Sequence, residues 1–398
     1  MLVHAERLKA KMSEQGLDAV VATTIENVHY LSGIWNVTLQ MFPHEGQCYA
    51  IVTQDRPSEP FMVMPTLEVD QVADGFDTIR GTHTFGTFYR EEPVGVELLP
   101  HEQRLRSMSL LENAAPNALE ALIASLKNMG LADKKIGIDE LGFAPGFMEK
   151  LGEALPQASL VPVTSLFRWV RRVKTPEEIR RIRASAHVTE NAIIAAAGIA
   201  RAGVTEAELA REFERAIVSQ GGVPRFALIR FGRNAVAGQV KPDRTALKRG
   251  DTIWFDVGCT YEGYWSDLAR NFSLGEPSAR ARQIYAAMLE GEQRAVDAAR
   301  PGMTGAQVFD LMMEGARAAG MPNYRRHHLG HGIGAEVYEQ PLVAPTNQEV
   351  VEEGTVLNVE TPYYEFGLGA LHVEDPIVIR SSGNELLTTL GRELHILY

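Results

Sequence analysis

The chain has 398 residues, which is enough for two ordinary domains with buried cores. Hydrophobic residues make up 45% and charged residues 23%, the balance of an average soluble protein. A net charge of -12 at pH 7 argues against nucleic acid or an anionic membrane as a partner, because both repel an acidic protein. Only Cys48 and Cys259 are present, which excludes a disulfide framework.

The first part of the chain alternates helical and strand patterns. An amphipathic helix is predicted over 4–15 and a strand over 17–22, with Gly16 between them. A second helix is predicted over 116–129, and a strand follows over 135–139. We therefore predict an α/β domain over residues 1–165. Its charged start has no apolar run of signal-peptide length, so we expect a cytoplasmic protein.

The rest of the chain, residues 166–398, is predicted to form a second domain. It contains an internal repeat, because the segment Ala-Arg-Ala-Gly-Val-Thr at 200–205 returns as Ala-Arg-Pro-Gly-Met-Thr at 299–304, each followed by a capping box. Gly250 precedes Asp256 by the same number of positions as Gly354 precedes Glu360. Asp256 and Glu360 are therefore predicted at equivalent strand ends in two halves of a duplicated unit.

Five residues in this second part have the side chains of a dinuclear metal site. Each carboxylate is predicted at or near the end of a short strand, and the histidine lies in a Gly-rich stretch where the backbone can approach a site closely. Four carboxylates and one imidazole suit two divalent ions, because bridging carboxylates offset two nearby positive charges. The predicted ligands are Asp256, Asp267, His331, Glu360 and Glu374.

These motifs resemble those of the pita-bread metallopeptidase family, which includes methionine aminopeptidase, aminopeptidase P and prolidase, with creatinase as a non-peptidase relative. The matching stretches follow the family's order along almost the whole chain: 175–182, 256–267, 330–334, and the strands of Glu360 and Glu374. The resemblance implies an α+β chain with a C-terminal pita-bread domain and a smaller creatinase-like N-terminal α/β domain. It also implies a homodimer.

By the same resemblance, Asp267 and Glu374 bridge the two ions, which share a water of lowered pKa. The resulting hydroxide attacks the scissile carbonyl, and Glu360 carries the proton to the leaving nitrogen. His327 falls where the family has a histidine, so it is predicted in the wall of the catalytic site. Mn²⁺ is the expected ion, and Co²⁺, Zn²⁺ and Fe²⁺ also suit these ligands.

Three positions depart from the family pattern. Gln239 and Tyr338 stand where the peptidases typically carry histidines, and His372 stands where prolidase-like members often carry an arginine. Glutamine and tyrosine can donate hydrogen bonds, but neither is an imidazole acid near neutral pH. We predict that Tyr338 faces the substrate as a catalytic residue. Gln239 and His372 are predicted to bind substrate, the latter from the strand of Glu374.

Three functions follow from these observations. The first is a dinuclear metal hydrolase of the Xaa-Pro aminopeptidase or dipeptidase type that cleaves short peptides. The second keeps the metal site but acts on a small non-peptide molecule, by amide hydrolysis or by proton abstraction in a lyase reaction. The third is a non-catalytic binding module, against which the complete ligand set argues, because an unused cluster of four carboxylates is costly to bury.

Overall fold

The computed structural model describes residues 2–43, 45–73 and 78–398. The chain forms two compact units, Met1–Arg171 and Arg172–Tyr398. The domain boundary predicted from the sequence, between residues 165 and 166, remains a prediction. In the described part of the chain, no helix combines the length and the apolar character that crossing a membrane requires.

The first unit contains helices on a mixed sheet. Its helices are α1 (Ala5–Gln15), α2 (Ile25–Ser32), α3 (Val37–Met41), α4 (Asp70–Ala73), α5 (Pro100–Met108), α6 (Ala118–Asn128), α7 (Phe147–Ala154) and α8 (Thr164–Arg171). Its strands are β1 (Ala19–Ala22), β2 (Tyr49–Thr53), β3 (Arg56–Pro65), β4 (Gly81–Phe85), β5 (Lys135–Ile138) and β6 (Ser159–Pro162). Short 3-10 helices lie at Thr66–Glu68, Leu111–Asn113 and Glu140–Gly142.

The described strands of this unit form one sheet in the order β4-β3-β2-β1-β5-β6. β1 pairs with β2 in antiparallel and with β5 in parallel orientation, so the predicted α/β character is confirmed. The helix predicted over 4–15 and the one predicted over 116–129 both form, the second shorter at each end. Gly16 ends the first helix with a positive φ of 65°, a conformation that glycine adopts without strain.

The second unit carries the longer helices and a larger sheet. Its helices are α9 (Pro176–Gly198), α10 (Glu206–Ser219), α11 (Ala279–Ala298) and α12 (Gly305–Ala318), with a 3-10 helix at Gly232–Val236. Its strands are β7 (Val223–Phe231), β8 (Thr252–Tyr261), β9 (Tyr264–Trp265), β10 (Leu268–Leu274), β11 (Gly330–Gly332), β12 (Val356–Glu360), β13 (Tyr363–Glu365), β14 (Gly369–Leu371), β15 (Glu374–Val378), β16 (Glu385–Leu386) and β17 (His395–Leu397).

The main sheet of this unit runs in the order β11-β12-β15-β10-β8-β7, and the neighbouring pairs along this path are antiparallel. Helices α9 and α10 cover the half that contains β7, β8 and β10. Helices α11 and α12 cover the half that contains β12 and β15. This helix-covered antiparallel sheet is the predicted pita-bread arrangement. Because side chains alternate along a strand, every second residue of the sheet faces away from the helices.

The internal duplication is visible in the hydrogen bonds as well as in the sequence. Thr205 and Thr304 each begin a helix with a capping box, as predicted. The Gly203 N–H donates to the carbonyl of Leu247 at 2.9 Å, and the Gly302 N–H donates to the carbonyl of Val351 at the same distance. In each half, the same hydrogen bond therefore joins the turn before the capped helix to the segment before the ligand-bearing strand.

One buried lysine lies among two buried carboxyl groups at the start of this unit. Lys174 pairs with Glu339 at 2.9 Å, and both side chains are almost fully buried. Glu178, the capping-box residue of α9, accepts from the backbone N–H of Thr175 at 2.8 Å. Burial raises the pKa of Glu178 to about 7, and the charge of Glu339 adds to the effect. The folded protein thus keeps a proton on Glu178 at pH values where the unfolded chain releases it.

This raised pKa gives a stability prediction with a defined sign. Between pH 4.5 and about 7 the folded state binds the extra proton, so wild-type stability falls as pH rises through this window. Glu178→Gln removes the titration and keeps an acceptor for the Thr175 N–H. The free energy of unfolding of the variant, measured with urea, should rise relative to wild type by up to about 3 kcal/mol across the window.

The adjacent residue provides a control of opposite sign. Arg180 and Arg181 hold the pKa of Glu177 down at about 2, against the effect of its partial burial. Glu177→Gln should therefore remove stability that is present above pH 4.5 and is lost as pH falls toward 2. The same pH dependence in both variants would contradict the assignment.

Candidate metal centre

Three carboxylates lie in a row across four neighbouring strands, on the sheet face away from the helices. Asp256 on β8 is directly opposite Ala269 on β10, and Ala269 is opposite Glu374 on β15. Glu374 is in turn opposite Glu360 on β12. Directly opposed residues of antiparallel strands project to the same face, so the register alone aligns these side chains. Ala269 contributes only a methyl group at the middle of the row, which leaves room between the carboxylates.

The remaining two predicted ligands join this row from either side. Asp267 precedes Ala269 by two positions and lies beside the same face. His331 on β11 is opposite Asn358 on β12, and its Nε2 lies 3.7 Å from Oδ2 of Asp267 and 3.9 Å from Oε1 of Glu374. The structure therefore brings all five predicted ligands to one place.

The hydrogen position on His331 follows from its backbone contact. Nδ1 lies 2.9 Å from the carbonyl oxygen of Gly332, so Nδ1 carries the hydrogen and donates it. Burial lowers the pKa of His331 and favours the neutral ring. The lone pair of Nε2 therefore faces the carboxylates, the orientation that a histidine ligand needs.

The carboxylates are buried without enough positive charge around them. Burial raises the pKa of Asp256 to about 6, although the nearby His372 acts in the opposite direction. Burial and neighbouring acids raise the pKa values of Asp267 and Glu374 well above their ordinary range. Glu360 differs, because the imidazoles of His328 and His372 outweigh its burial and lower its pKa.

Unpaired buried atoms test whether this set fits divalent ions. Among the described residues, Oδ1 of Asp267 and Nε2 of His331 are buried and have no hydrogen-bond partner. Asp267, His331 and Glu374 offer ligand atoms within 4.8 Å of one another, and so do Glu360, His372 and Glu374. Oxygen and imidazole donors of this kind are those that divalent ions bind. The residues fit a pair of ions that share Glu374.

The strand limits around the ligands differ from the prediction. Asp256 was expected at the end of its strand, but β8 continues to Tyr261, because the residues beyond Asp256 pair with β7 and pack on the helices. Glu374 begins β15 instead of ending a strand, and His372 lies in the link between β14 and β15. The register across strands, and not the strand ends, aligns the ligands.

The residues predicted to line the substrate site lie at different distances from this row. Tyr338 is half exposed, and its ring stacks on that of His331 with 3.7 Å between centroids. Burial and the nearby carboxylates raise its pKa, so it keeps its phenolic hydrogen. His327 is exposed, and its ring lies 4.3 Å from that of His328.

Gln239 is the predicted site residue for which the structure gives the fewest contacts. It is exposed on the turn after the 3-10 helix, and within the described ranges no hydrogen bond or ion pair joins it to the carboxylates. Its neighbour Gly238 lies against Trp254 and Tyr364, so closely that a Cβ atom there would come within 2.8 Å of the indole. The turn is therefore fixed beside Trp254, whose indole stacks on the ring of His372, and beside Tyr364.

Two residues of the site, His328 and Asn358, were not predicted as functional. His328 places Nε2 at 2.9 Å from Oε1 of Glu360, and Asn358 donates from Nδ2 to Oε1 of Glu374 at 2.6 Å. The guanidinium of Arg326 lies 5.7 Å from the ring centre of Tyr364. Asn358 could have been found, because it precedes Glu360 by two positions on one strand. The other contacts depend on loops whose path the sequence does not reveal.

Comparison with known proteins agrees with the resemblance. The model of metallopeptidase family M24 matches residues 180–381, and that of the creatinase/prolidase N-terminal domain matches residues 5–173. A putative dipeptidase, YkvY of Bacillus subtilis, is 26% identical over 98% of this chain and 99% of its own length.

Two further relatives carry more specific names. The Xaa-Pro dipeptidase of Pyrococcus horikoshii is 32% identical over 66% of this chain and 75% of its own. The structure is similar to that of the Xaa-Pro dipeptidase from Bacillus anthracis, with a TM-score of 0.79, 24% identity and 99% coverage of both chains. With both domain models matched in order along its length, the chain belongs to metallopeptidase family M24, with a creatinase/prolidase N-terminal domain.

Proposed function

We propose that the protein hydrolyses short peptides that carry proline after the first residue. As a member of a metallopeptidase family it is a metal-dependent hydrolase. The observation that supports the substrate class most directly is the carboxylate row with its imidazole, in a chain 32% identical to an Xaa-Pro dipeptidase. A homodimer and a cytoplasmic location stay predictions, and light scattering after size exclusion would test the first.

The proposed ligands of the two ions are the five residues predicted from the sequence. Glu374 is suited to bridge, because Oε1 is the oxygen near His331, whereas Oε2 is the one near His372. Asn358 fixes the first of these oxygens through its 2.6 Å hydrogen bond. Family membership implies divalent metal ions, and we propose Mn²⁺ as the working ion.

The proposed chemistry combines the ions with a proton carrier. When bound, a pair of divalent ions lowers the pKa of a water molecule and polarises the carbonyl that is attacked. Glu360 accepts the proton and passes it to the leaving nitrogen. Its lowered pKa keeps it ionised, and only the ionised carboxylate can accept a proton. His328, a fifth exposed and 2.9 Å from Oε1, connects this carboxylate to solvent.

The proposed substrate contacts surround this centre. Tyr338 donates a hydrogen bond from its phenol, because its raised pKa keeps the hydrogen in place. Nε of Arg326 is buried without a hydrogen-bond partner among the described residues, and the guanidinium is proposed to receive the peptide carboxylate. His327 and Gln239 are proposed at the outer wall, where both are exposed.

A second candidate function is hydrolysis of a small non-peptide amide, or a lyase reaction by proton abstraction, at the same metals. It is favoured by Gln239 and Tyr338, which replace the imidazoles that the peptidases use as acids. Loss of such a transition-state donor costs about 10² to 10³ in rate. Peptide turnover separates the two functions, whereas metal content does not.

The first test is metal content together with turnover. Purified protein loaded with Mn²⁺ should hold two ions by elemental analysis and should cleave Xaa-Pro dipeptides and tripeptides faster than matched Xaa-Ala peptides. Two ions with no peptide turnover would favour the non-peptide substrate. Protein that retains no ions would contradict the metal site itself.

Removing the bridging carboxylate should abolish both properties. Glu374→Gln keeps the size of the side chain but removes the charge that both ions share, so metal content should fall below two and turnover should be lost. Glu365→Gln is the matched control, because Glu365 pairs with Arg280 at 2.8 Å outside the row and should leave both properties unchanged. A Glu374→Gln variant with two ions and full activity would exclude the assignment.

Restoring a histidine at position 239 should increase Xaa-Pro cleavage. Gln239→His returns an imidazole to the turn beside Trp254 and Tyr364, where it can donate to the substrate near neutral pH. We expect kcat/KM for Xaa-Pro dipeptides to rise at least tenfold. This gain is smaller than the factor of about 10² to 10³ that the loss of one such donor usually costs. Gln283→His on the exposed side of α11 is the control. If Gln239→His gives no gain, or no more gain than this control, the result would count against a peptidase pocket.

A further inference from the structure

The ring of His372 is fixed against the carboxylate row. The residue is 2% exposed, and its backbone N–H donates to Oδ1 of Asn271 at 2.7 Å. Its ring is stacked on the indole of Trp254, with 6.4 Å between centroids and 23° between planes. Both contacts hold the imidazole where the strand register places Asp256, Glu360 and Glu374.

Both ring nitrogens of His372 are buried, and in the described part of the chain neither is oriented for a hydrogen bond, although carboxylate oxygens lie close to Nε2. Nε2 lies 3.2 Å from Oε2 of Glu360 and 3.6 Å from Oε2 of Glu374. Two ligand atoms that are each about 2.1 Å from one ion lie roughly 3.0 Å apart at right angles and roughly 3.4 Å apart in a tetrahedron. The measured separations therefore correspond to atoms around a shared cation.

A similar arrangement, with longer separations, lies at the other end of Glu374. There, Nε2 of His331 lies 3.9 Å from Oε1 of Glu374 and 3.7 Å from Oδ2 of Asp267. Each oxygen of Glu374 thus faces a different imidazole. The two groups of three ligand atoms share only this carboxylate.

We propose that His372 is a sixth protein ligand, so that each ion of the pair is bound by an imidazole of its own: one by His331 and the other by His372. This inference rests on the proposed dinuclear site and adds one residue to it. It replaces the substrate-binding role predicted for His372, because a residue 2% exposed and directed at the carboxylates has little surface left for a substrate.

The imidazole of His372 changes which ion is favoured at the position that it forms with Glu360 and Glu374. Imidazole suits Co²⁺, Fe²⁺ and Zn²⁺, whereas sites built only from oxygen ligands suit Mn²⁺ and Mg²⁺. A neutral ligand at this position also leaves four carboxylate charges to balance two divalent ions. The position of His372 should therefore bind Co²⁺ in preference to Mn²⁺ more strongly than an oxygen-only position would.

The direct test counts imidazoles around the ions in the wild-type protein. X-ray absorption of protein loaded with two Co²⁺ ions should show an average of about one imidazole per ion if both histidines are ligands. An average of about one half would overturn the proposal, because His331 alone would then supply it. Protein that takes up no Co²⁺ would overturn the dinuclear site and this inference together.

Titration calorimetry with Co²⁺ on variants gives a second readout that does not depend on activity. His372→Ala and His372→Gln should weaken one of the two binding events at least tenfold, since even groups that only support a ligand contribute that much. His101→Ala is the matched control, because it removes an exposed imidazole from α5 of the first unit and should leave both affinities unchanged. Wild-type affinities for both ions in a folded His372→Gln variant, as judged by circular dichroism, would overturn the proposal.

Discussion

Three buried carboxylates and the largely buried Asp256 lie side by side, and this cluster is the constraint on which the structure depends. Among the described residues, the basic groups within 4.0 Å of these four carboxylates are imidazoles, not lysine or arginine side chains. The protein therefore does not neutralise the cluster with fixed cations, and without ions it must hold protons there, as the raised pKa values of Asp267 and Glu374 indicate. Divalent ions that replace those protons contribute both charge balance and folding free energy.

The sheet holds this cluster from its opposite face. Arg270 follows Ala269 and so points toward the helices, where it pairs with the buried Asp375 at 2.6 Å. The same guanidinium donates to the carbonyl oxygens of Ala269 and Glu374 at 2.9 and 3.0 Å. A buried ion pair on one face thus fixes the backbone of two strands that present the row on the other. Breaking such a pair is costly, because it leaves a buried charge without its partner.

Much of the fold and of the candidate metal centre could be predicted from the sequence, because the motifs that indicate them are local or repeated. The capping boxes at Thr205 and Thr304 and the duplicated glycines identified the two halves, and the order of the carboxylates predicted which residues meet at the candidate metal centre. The sequence did not show that β8 continues past Asp256, since only the pairing with β7 extends it. Nor did it place His328 beside Glu360, because that contact depends on the path of a loop. Contacts between distant segments are set by packing, which no local pattern encodes.

The three departures from the family pattern have different physical consequences. Tyr338 covers the ring of His331, Gln239 lies exposed on a fixed turn, and His372 is directed into the carboxylate row. An arginine at the last position would bring a permanent positive charge, whereas a neutral imidazole does not. The centre with its two ions would then be close to neutral, and an anionic substrate group would need its charge partner elsewhere. Arg326, with an unpaired Nε beside Tyr364, is placed to supply that charge at the edge of the site and not among the metals.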